Sequence, residues 1–374
     1  MSHSFLRSFR HRAAAACAAL ALTTAAAGCG GSGNAGPSGA SGASANVPGV
    51  DLSRVNSYLV AKSTDLQKNA AQLKKTAQSY YDAAKSVNFD YDALWSKQAG
   101  TVGPLLVEAK KQFLAANSAY ETMEGIVAGV EELSHYDIDL DAGIPAGEGS
   151  EDVVSFDVKL PNGETLKKPG NYFYLAELTL WGTKPEWTAQ GVKPDLDGSG
   201  KVDFGEVLPD ANVLKGVADG FAAMSDHLLK DAGQWKATLE ESLTALVVMI
   251  PTMDEYFQAW KQSRSVSGDN ATSAQFVAVS RLQDIRDILS GLEVVYASVR
   301  PAVEKADAAL AKQTGRELDE LLGFVSDLYE KEKNGTAFKA EQADALGADA
   351  QNRASAIAGQ LTQAAAKLGI KIRT

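Results

Sequence analysis

Only two cysteines occur in the 374 residues, Cys17 and Cys29, and both lie close to the N-terminus. The body of the chain therefore holds no pair from which a disulfide framework can be built. Histidine is nearly as scarce. Beyond residue 50 the chain contains only His135 and His227, whereas a hydrolytic metal site is usually built from histidine and carboxylate around an open position. Proline and isoleucine are sparse after residue 50 and Ala, Leu, Lys, Glu and Asp dominate, a balance that favours helices. No later stretch is apolar enough to span a bilayer. Nucleophile-elbow, phosphate-loop, dinucleotide and His-Glu-x-x-His patterns are all missing. Positive charge is short as well. The net charge is −11, and residues 1–28 carry Arg7, Arg10 and Arg12 with no acid, so the remainder stands at −11 less three, or −14. Such an acidic body excludes the basic face that nucleic-acid binding needs; it suits cations, or solubility alone.

What is present begins with an address. Residues 1–12 are basic and residues 13–27 small and apolar, the two parts of a secretory signal. The run ends in Ala26-Ala27-Gly28-Cys29, which resembles a bacterial lipobox with Ala26 where Leu is usual. On that reading residues 1–28 are removed and Cys29 is acylated, anchoring the protein to a membrane of the cell envelope; the other reading is an ordinary signal cut near Ala27. Residues 29–50 are rich in Gly and Ser and nearly free of charge. They read as a flexible tether, spanning about 25 Å root-mean-square.

The body, residues 51–374, is expected to be all-α. From Val55 the apolar positions step by three, four and seven through Leu59, Leu66, Ala70, Leu73, Ala77, Tyr80 and Ala84, one face of a long helix. Further helical tracts are expected at about 103–133, 172–181, 211–231, 234–260, 272–298, 302–331 and 339–367. Asp210 or Asn212 is a candidate cap for the fourth of these tracts counted from Val55, and Ser273 a candidate start for the sixth. The count implies two consecutive four-helix bundles. Between them lies a non-helical insertion, about residues 134–210, in which alternation around Pro161-Asn162-Gly163 predicts a β-hairpin.

The insertion carries the most specific motif, DLDGSGKVDFGE. A twelve-residue calcium loop needs oxygen donors at positions 1, 3, 5 and 12, a backbone carbonyl at 7 and Gly at 6. Asp195, Asp197, Ser199, Glu206, Lys201 and Gly200 meet these requirements, with Asp203 acting through water and Val202 expected to point inward. Pro194 before the loop and Pro209 after it leave no room for flanking helices. A lone loop of this kind is expected to brace the fold rather than to sense calcium; the bland reading is an acidic turn.

Upstream, NYFYLAELTLWGT (171–183) resembles the signature helix of the imelysin-like family, which includes periplasmic iron-uptake components and relatives named as peptidases. The family pattern is Gly-x-His-x-x-Glu followed by an apolar stretch ending in Trp-Gly. Tyr172 stands for the Gly and Tyr174 for the His, while Glu177, Leu178, Leu180, Trp181 and Gly182 follow the pattern. AYETMEG is similar to the Tyr-Glu-x-x-Glu-Pro run of the iron-uptake relatives at Tyr120, Glu121 and Glu124, with Gly125 in place of Pro. The likeness covers most of residues 55–368. It implies a pair of four-helix bundles in an envelope protein, with a metal at the His-x-x-Glu helix. Since the His is replaced, Tyr174, Glu177, Glu124 and Glu121 form a candidate oxygen-only site for ferric iron or another transition metal. The plainer reading packs Tyr174 in the core with its hydroxyl on Glu177 or Glu124.

HYDIDLD (His135, Asp137, Asp139, Asp141) carries alternating acids, for which one reading is a cation-taking cluster near the same region and the favoured one a solvated acidic loop. His227 reads as a surface or boundary residue, and Trp181, Trp187, Trp235 and Trp260 read as core. The favoured function is a non-enzymatic envelope lipoprotein that binds a metal, ligand or partner protein between its bundles and is stabilised by one calcium ion. A calcium-stiffened adhesin or scaffold, and less favourably a metallopeptidase, are the competing readings.

Overall fold

The computed structural model describes residues 50–149 and 151–373. The expected signal segment, the candidate lipidation site Cys29 and the expected tether up to residue 49 lie outside the described residues.

Helix α1 (Ser53–Ser86) buries Val55, Leu59, Leu66, Ala70, Leu73, Ala77, Tyr80 and Ala84, the face expected from the spacing. Each leucine so buried is worth roughly 1.5–3 kcal/mol, so this one stripe fixes the helix's orientation. Asp90 opens α2 (Tyr91–Val127) by accepting from the Ala93 amide at 2.9 Å. This cap starts α2 a dozen residues before the expected 103. The helix kinks at Gln98 and ends at Val127 rather than 133.

A single helical turn, Ser134–Asp137, then runs into a π-helical turn, Ile138–Ala142. The expected hairpin is present but small. Strand β1 (Val158–Lys159) pairs antiparallel with β2 (Thr165–Leu166) in the register Val158 to Leu166. Helix α3 (Tyr172–Trp181) is capped by Asn171, whose side chain accepts from the Tyr174 amide at 2.7 Å. It stops at Gly182, in a left-handed conformation (φ 69°) where a Cβ would collide with Val207. Asp210 caps α4 (Ala211–Gln234) as expected, accepting from the Asn212 and Val213 amides.

In the second half, α5 (Leu239–Met249) opens with a reciprocal capping box between Thr238 and Glu241. Pro251 separates it from α6 (Met253–Gln262), so the expected tract 234–260 is two helices. Helices α7 (Arg281–Ala306), α8 (Ala308–Lys333) and α9 (Ala340–Lys367) complete the chain. The start expected at Ser273 is corrected: Ser280 caps α7, and residues 271–279 form no regular element.

The architecture is all-α, with the short hairpin as its only paired strands among the described residues. Helices α1, α2 and α4 pack together with the short α3 as a first four-helix group, and α5–α6, α7, α8 and α9 as a second. Helix α7 also lies along α2, and one continuous hydrophobic core runs through both groups. Among the described residues no helix is long and apolar enough to cross a membrane.

Candidate metal centres

Glu121 and Glu124 stand three apart on α2 and so share one helix face. That face points at α7 and α6, and the two side chains are 0% and 1% exposed. A third carboxylate arrives from the insertion. The π-helical turn lifts Asp141 inward, and the Asn171 side-chain amide pins this turn by donating to the carbonyls of Asp141 and Gly143. Single π turns of this kind recur at functional sites. One carboxylate oxygen from each of Glu121, Glu124 and Asp141 lies within 4.8 Å of the other two.

The surroundings neutralise this charge only partly. Tyr256 on α6 donates to Glu124 Oε1 at 2.6 Å, and Tyr120 donates to Asp137 Oδ1 at 2.7 Å. The Asn117 amide reaches Glu121 Oε1 at 3.3 Å and Asp284 Oδ1 at 3.1 Å. The buried guanidinium of Arg281 donates from Nη1 to Asp284 Oδ2 at 2.7 Å. Glu121 Oε2, Glu124 Oε2 and Arg281 Nε are buried with no partner. Unpaired buried carboxylate oxygens are costly, and their proton affinities respond. Burial, then the charges of Asp284 and Glu124, push Glu121 well above the usual carboxylate range. Burial and Glu124 raise Asp141 to about 7, and burial raises Asp284 to about 7 against the opposing pull of Arg281. Asp137 is raised well above its ordinary value by burial and by Glu124. An all-oxygen cluster with two orphaned oxygens, whose protons a metal would displace, fits a hard cation, which prefers carboxylate donors.

Two expectations about this region are corrected. Asp137 and Asp139 are not a solvated loop; they are 6% and 4% exposed, and Asp139 is spent on the Ser155 amide and hydroxyl at 2.9 and 2.6 Å. Nor does the structure bring Tyr174 and Glu177 into the ligand set with Glu121 and Glu124. Tyr174 is half-buried on the wall of an open cleft of about 290 Å³ whose lining includes Pro145, Glu148, Lys168, Lys184 and Trp187. Burial and then the charges of Glu148 and Glu186 raise its hydroxyl above the usual range. The hydroxyl that reaches Glu124 belongs to Tyr256. The Glu177 carboxylate is taken up by backbone: it accepts from the Phe276, Val277 and Ala278 amides at 2.7, 3.0 and 2.9 Å.

Sequence reading singles out Asp141 within the acidic run HYDIDLD, but not Tyr256, Arg281 or Asp284. One signal was available for the last two. Arg281 and Asp284 stand in phase with Ile288 and Leu292 on the buried stripe of α7, where charged residues persist only when paired or bound.

The second centre is the acidic loop. Asp195, Asp197 and Glu206 bring carboxylate oxygens within 4.8 Å of one another. Asp195 accepts from the Ser199 and Gly200 amides at 3.0 and 2.8 Å, and Glu206 from the Leu196 and Asp203 amides at 2.7 and 2.6 Å. The Ser199 hydroxyl donates to the Lys201 carbonyl at 3.2 Å, which pairs positions 5 and 7 with each other. Gly200 is left-handed at φ 84°, as the sharp turn requires. The nearest elements are a turn at Pro185–Trp187 and α4 at Ala211, so no helix flanks the loop. Val202 departs from expectation: it is 47% exposed, and Phe204 is 45% exposed beside it. Lys110 on α2 braces the loop, donating to the Gly205 carbonyl at 2.6 Å with its ammonium 5.2 Å from the Trp181 ring. Burial lowers Lys110 to about 8, against the pull of Glu206 and Asp197.

His135 and His227 are exposed, whereas Trp187, Trp235 and Trp260 are buried and Trp181 is packed against the core. Two helical bundles, joined through α7 and enclosing carboxylates at their junction, define the class of this protein. The family model for imelysin, which bears a peptidase label, matches residues 57–361. The chain belongs to the imelysin family. Comparison with curated proteins gives no match.

Proposed function

We propose that this chain is a non-enzymatic, cation-binding imelysin protein of the cell envelope. It takes a hard metal ion at Glu121, Glu124 and Asp141, and the loop from Asp195 to Glu206 holds calcium as a brace. The observation that carries this reading is the pair of buried, unpartnered oxygens on Glu121 and Glu124 beside a third carboxylate. Ferric iron is the transition metal best matched to an anionic oxygen set. Binding is preferred to hydrolysis because the donors are all carboxylates and the nearest cation, Arg281, is already committed to Asp284. Lipid attachment at Cys29 would put the domain at a membrane surface, within reach of an envelope partner.

Iron titration of the mature protein tests the metal reading. One equivalent is expected in the wild type and in Asp195→Asn. None is expected in Glu121→Gln or Asp141→Asn, whereas Tyr174→Phe retains it. Unchanged stoichiometry in both cluster variants rejects the site.

A second reading has one observation in its favour. Val202 and Phe204 are two of the three large apolar side chains left exposed among the described residues. They would let the calcium loop serve as an adhesin-like contact. Loss of partner capture in Val202→Ser/Phe204→Ser, with metal uptake intact, would support it.

A further inference from the structure

Glu177 sits on the signature helix at the position where the family resemblance implies a ligand, yet it holds a loop. Its carboxylate is 5% exposed and gathers three successive amides, those of Phe276, Val277 and Ala278. Hydrogen bonds to an ionised acceptor are about twice as strong as neutral ones. The loop needs that restraint, because Phe276 lies at φ 58°, a left-handed conformation unfavourable for a bulky side chain.

The restraint has a geometric result. The Phe276 ring lies 4.1 Å from the Arg281 guanidinium, which also contacts the Tyr256 ring at 4.6 Å while pairing with Asp284. Tyr256 in turn donates to Glu124. From the half-exposed Phe276 inward, the layers are therefore ring, guanidinium, ring and then the carboxylate cluster. Segment 271–279 has no helix or strand to hold it, whereas α2 and α7 are long and packed on their other sides. The weakest cover over the cluster is thus the segment clasped by Glu177.

We propose that Glu177 is a positioning residue: it clasps residues 276–278 as a roof over the carboxylate cluster, and the cation passes in and out where that roof lifts. This inference rests on the metal reading of Glu121, Glu124 and Asp141. Glu177 then governs the speed of exchange, while the three carboxylates set affinity.

The test uses the full chain in an Asp195→Asn background, which silences the acidic loop, with terbium(III) as a hard trivalent probe followed by tyrosine-sensitised emission. Replacing the clasp in Glu177→Gln is expected to raise association and dissociation rates together, each about tenfold, the loss of roughly one charge-assisted hydrogen bond. Affinity should move by less than about threefold, because the donors are untouched. Glu177→Asp, which keeps the charge, should restore slow exchange at least in part. Amide hydrogen exchange gives a readout free of metal: Phe276, Val277 and Ala278 should be protected relative to Ser273 and Ala274, and lose protection in Glu177→Gln. Weakened affinity with an unchanged association rate would make Glu177 a ligand and overturn the proposal. Wild-type exchange rates in Glu177→Gln, or unprotected amides in the parent, overturn the clasp alone. Absence of terbium binding in the parent brings down the metal reading and this inference together.

Discussion

The Tyr256 hydroxyl donates to Glu124 Oε1 across 2.6 Å, linking α6 of the second bundle to α2 of the first. Among the described residues it is the hydroxyl that reaches a carboxylate of the proposed ligand set, and burial then Glu124 push its own ionisation well above the usual range, so it stays a donor. In Tyr256→Phe, both oxygens of Glu124 would be buried without a partner. The metal-free variant is expected to lose about 1–3 kcal/mol in urea denaturation. The metal-loaded form should lose less, because the cation satisfies the oxygens. An equal loss in both forms would mean that Glu124 never meets a cation.

Glu121 leads to the opposite expectation. Its Oε1 accepts from Asn117, and a glutamine in the same place keeps that acceptor and the neutral form that burial, Asp284 and Glu124 already favour in the metal-free protein. Glu121→Gln should therefore abolish metal uptake while leaving the metal-free protein as stable as wild type, or more stable by up to about 1 kcal/mol. Binding sites commonly trade stability for charge in this way. Marked destabilisation of the metal-free variant would instead assign Glu121 a purely structural pairing.

The bundle junction depends on a close approach. A Cβ on Gly291 of α7 would clash with the Thr122 backbone carbonyl on α2, whereas one on Gly323 of α8 meets nothing within 4 Å. Gly291→Ala should push α7 from α2 and cost about 1–3 kcal/mol, with weakened metal binding because the cluster spans that junction. Gly323→Ala should stabilise by about 0.5–1 kcal/mol through helix propensity alone. Thermal melts of the two variants should shift in opposite directions.

The contrast between these residues shows what the chain makes legible. The α1 stripe from Val55 to Ala84 and the Asp210 cap depend on neighbours within a few residues, and spacing alone reveals both. The fate of a carboxylate does not. Asp137 reads as solvated because its sequence neighbours are acidic, but its partner Tyr120 lies on α2 and the cover of Asp141 comes from Asn171. Glu177 and Tyr174 share a helix with the residues around them, yet their directions are set by the loop at 276–278 and by the cleft beside Lys184. That same loop accompanies the start of α7 at Arg281 rather than near Ser273: its amides are drawn to Glu177 instead of into a first helical turn. Family resemblance located the cluster through Glu121 and Glu124 but supplied neither Asp141 nor Tyr256.

For the acidic loop, calcium should raise the melting temperature and a chelator should reverse the change. A ligand that binds only the folded state stabilises by about 2.7 kcal/mol at a hundredfold excess over its dissociation constant. The carboxylates of Asp195 and Glu206 now turn onto loop amides, so calcium has to recruit oxygens already in place. In Glu206→Gln the calcium-induced shift should vanish, while iron uptake by the cluster persists. Scanning calorimetry with and without calcium reads the first outcome, and iron stoichiometry the second.

A pH dependence of a different kind is expected where α7 meets α8. Glu293 on α7 meets Asp319 on α8, and burial first, then the hydrogen bond and charge of Asp319, raise Glu293 from 4.5 to about 7. A carboxyl group raised in the folded state binds a proton there that the unfolded chain has released. Its contribution is complete below about 4.5 and fades as pH rises through about 7, the reverse of a salt-bridged carboxylate. Across that window the wild type should lose stability relative to Glu293→Gln, whose amide can donate to Asp319 at every pH. Paired urea titrations at several pH values measure the difference directly, and the metal centres cancel between the two proteins. Stability curves that run parallel from acid to neutral pH would show that Glu293 and Asp319 do not share a proton.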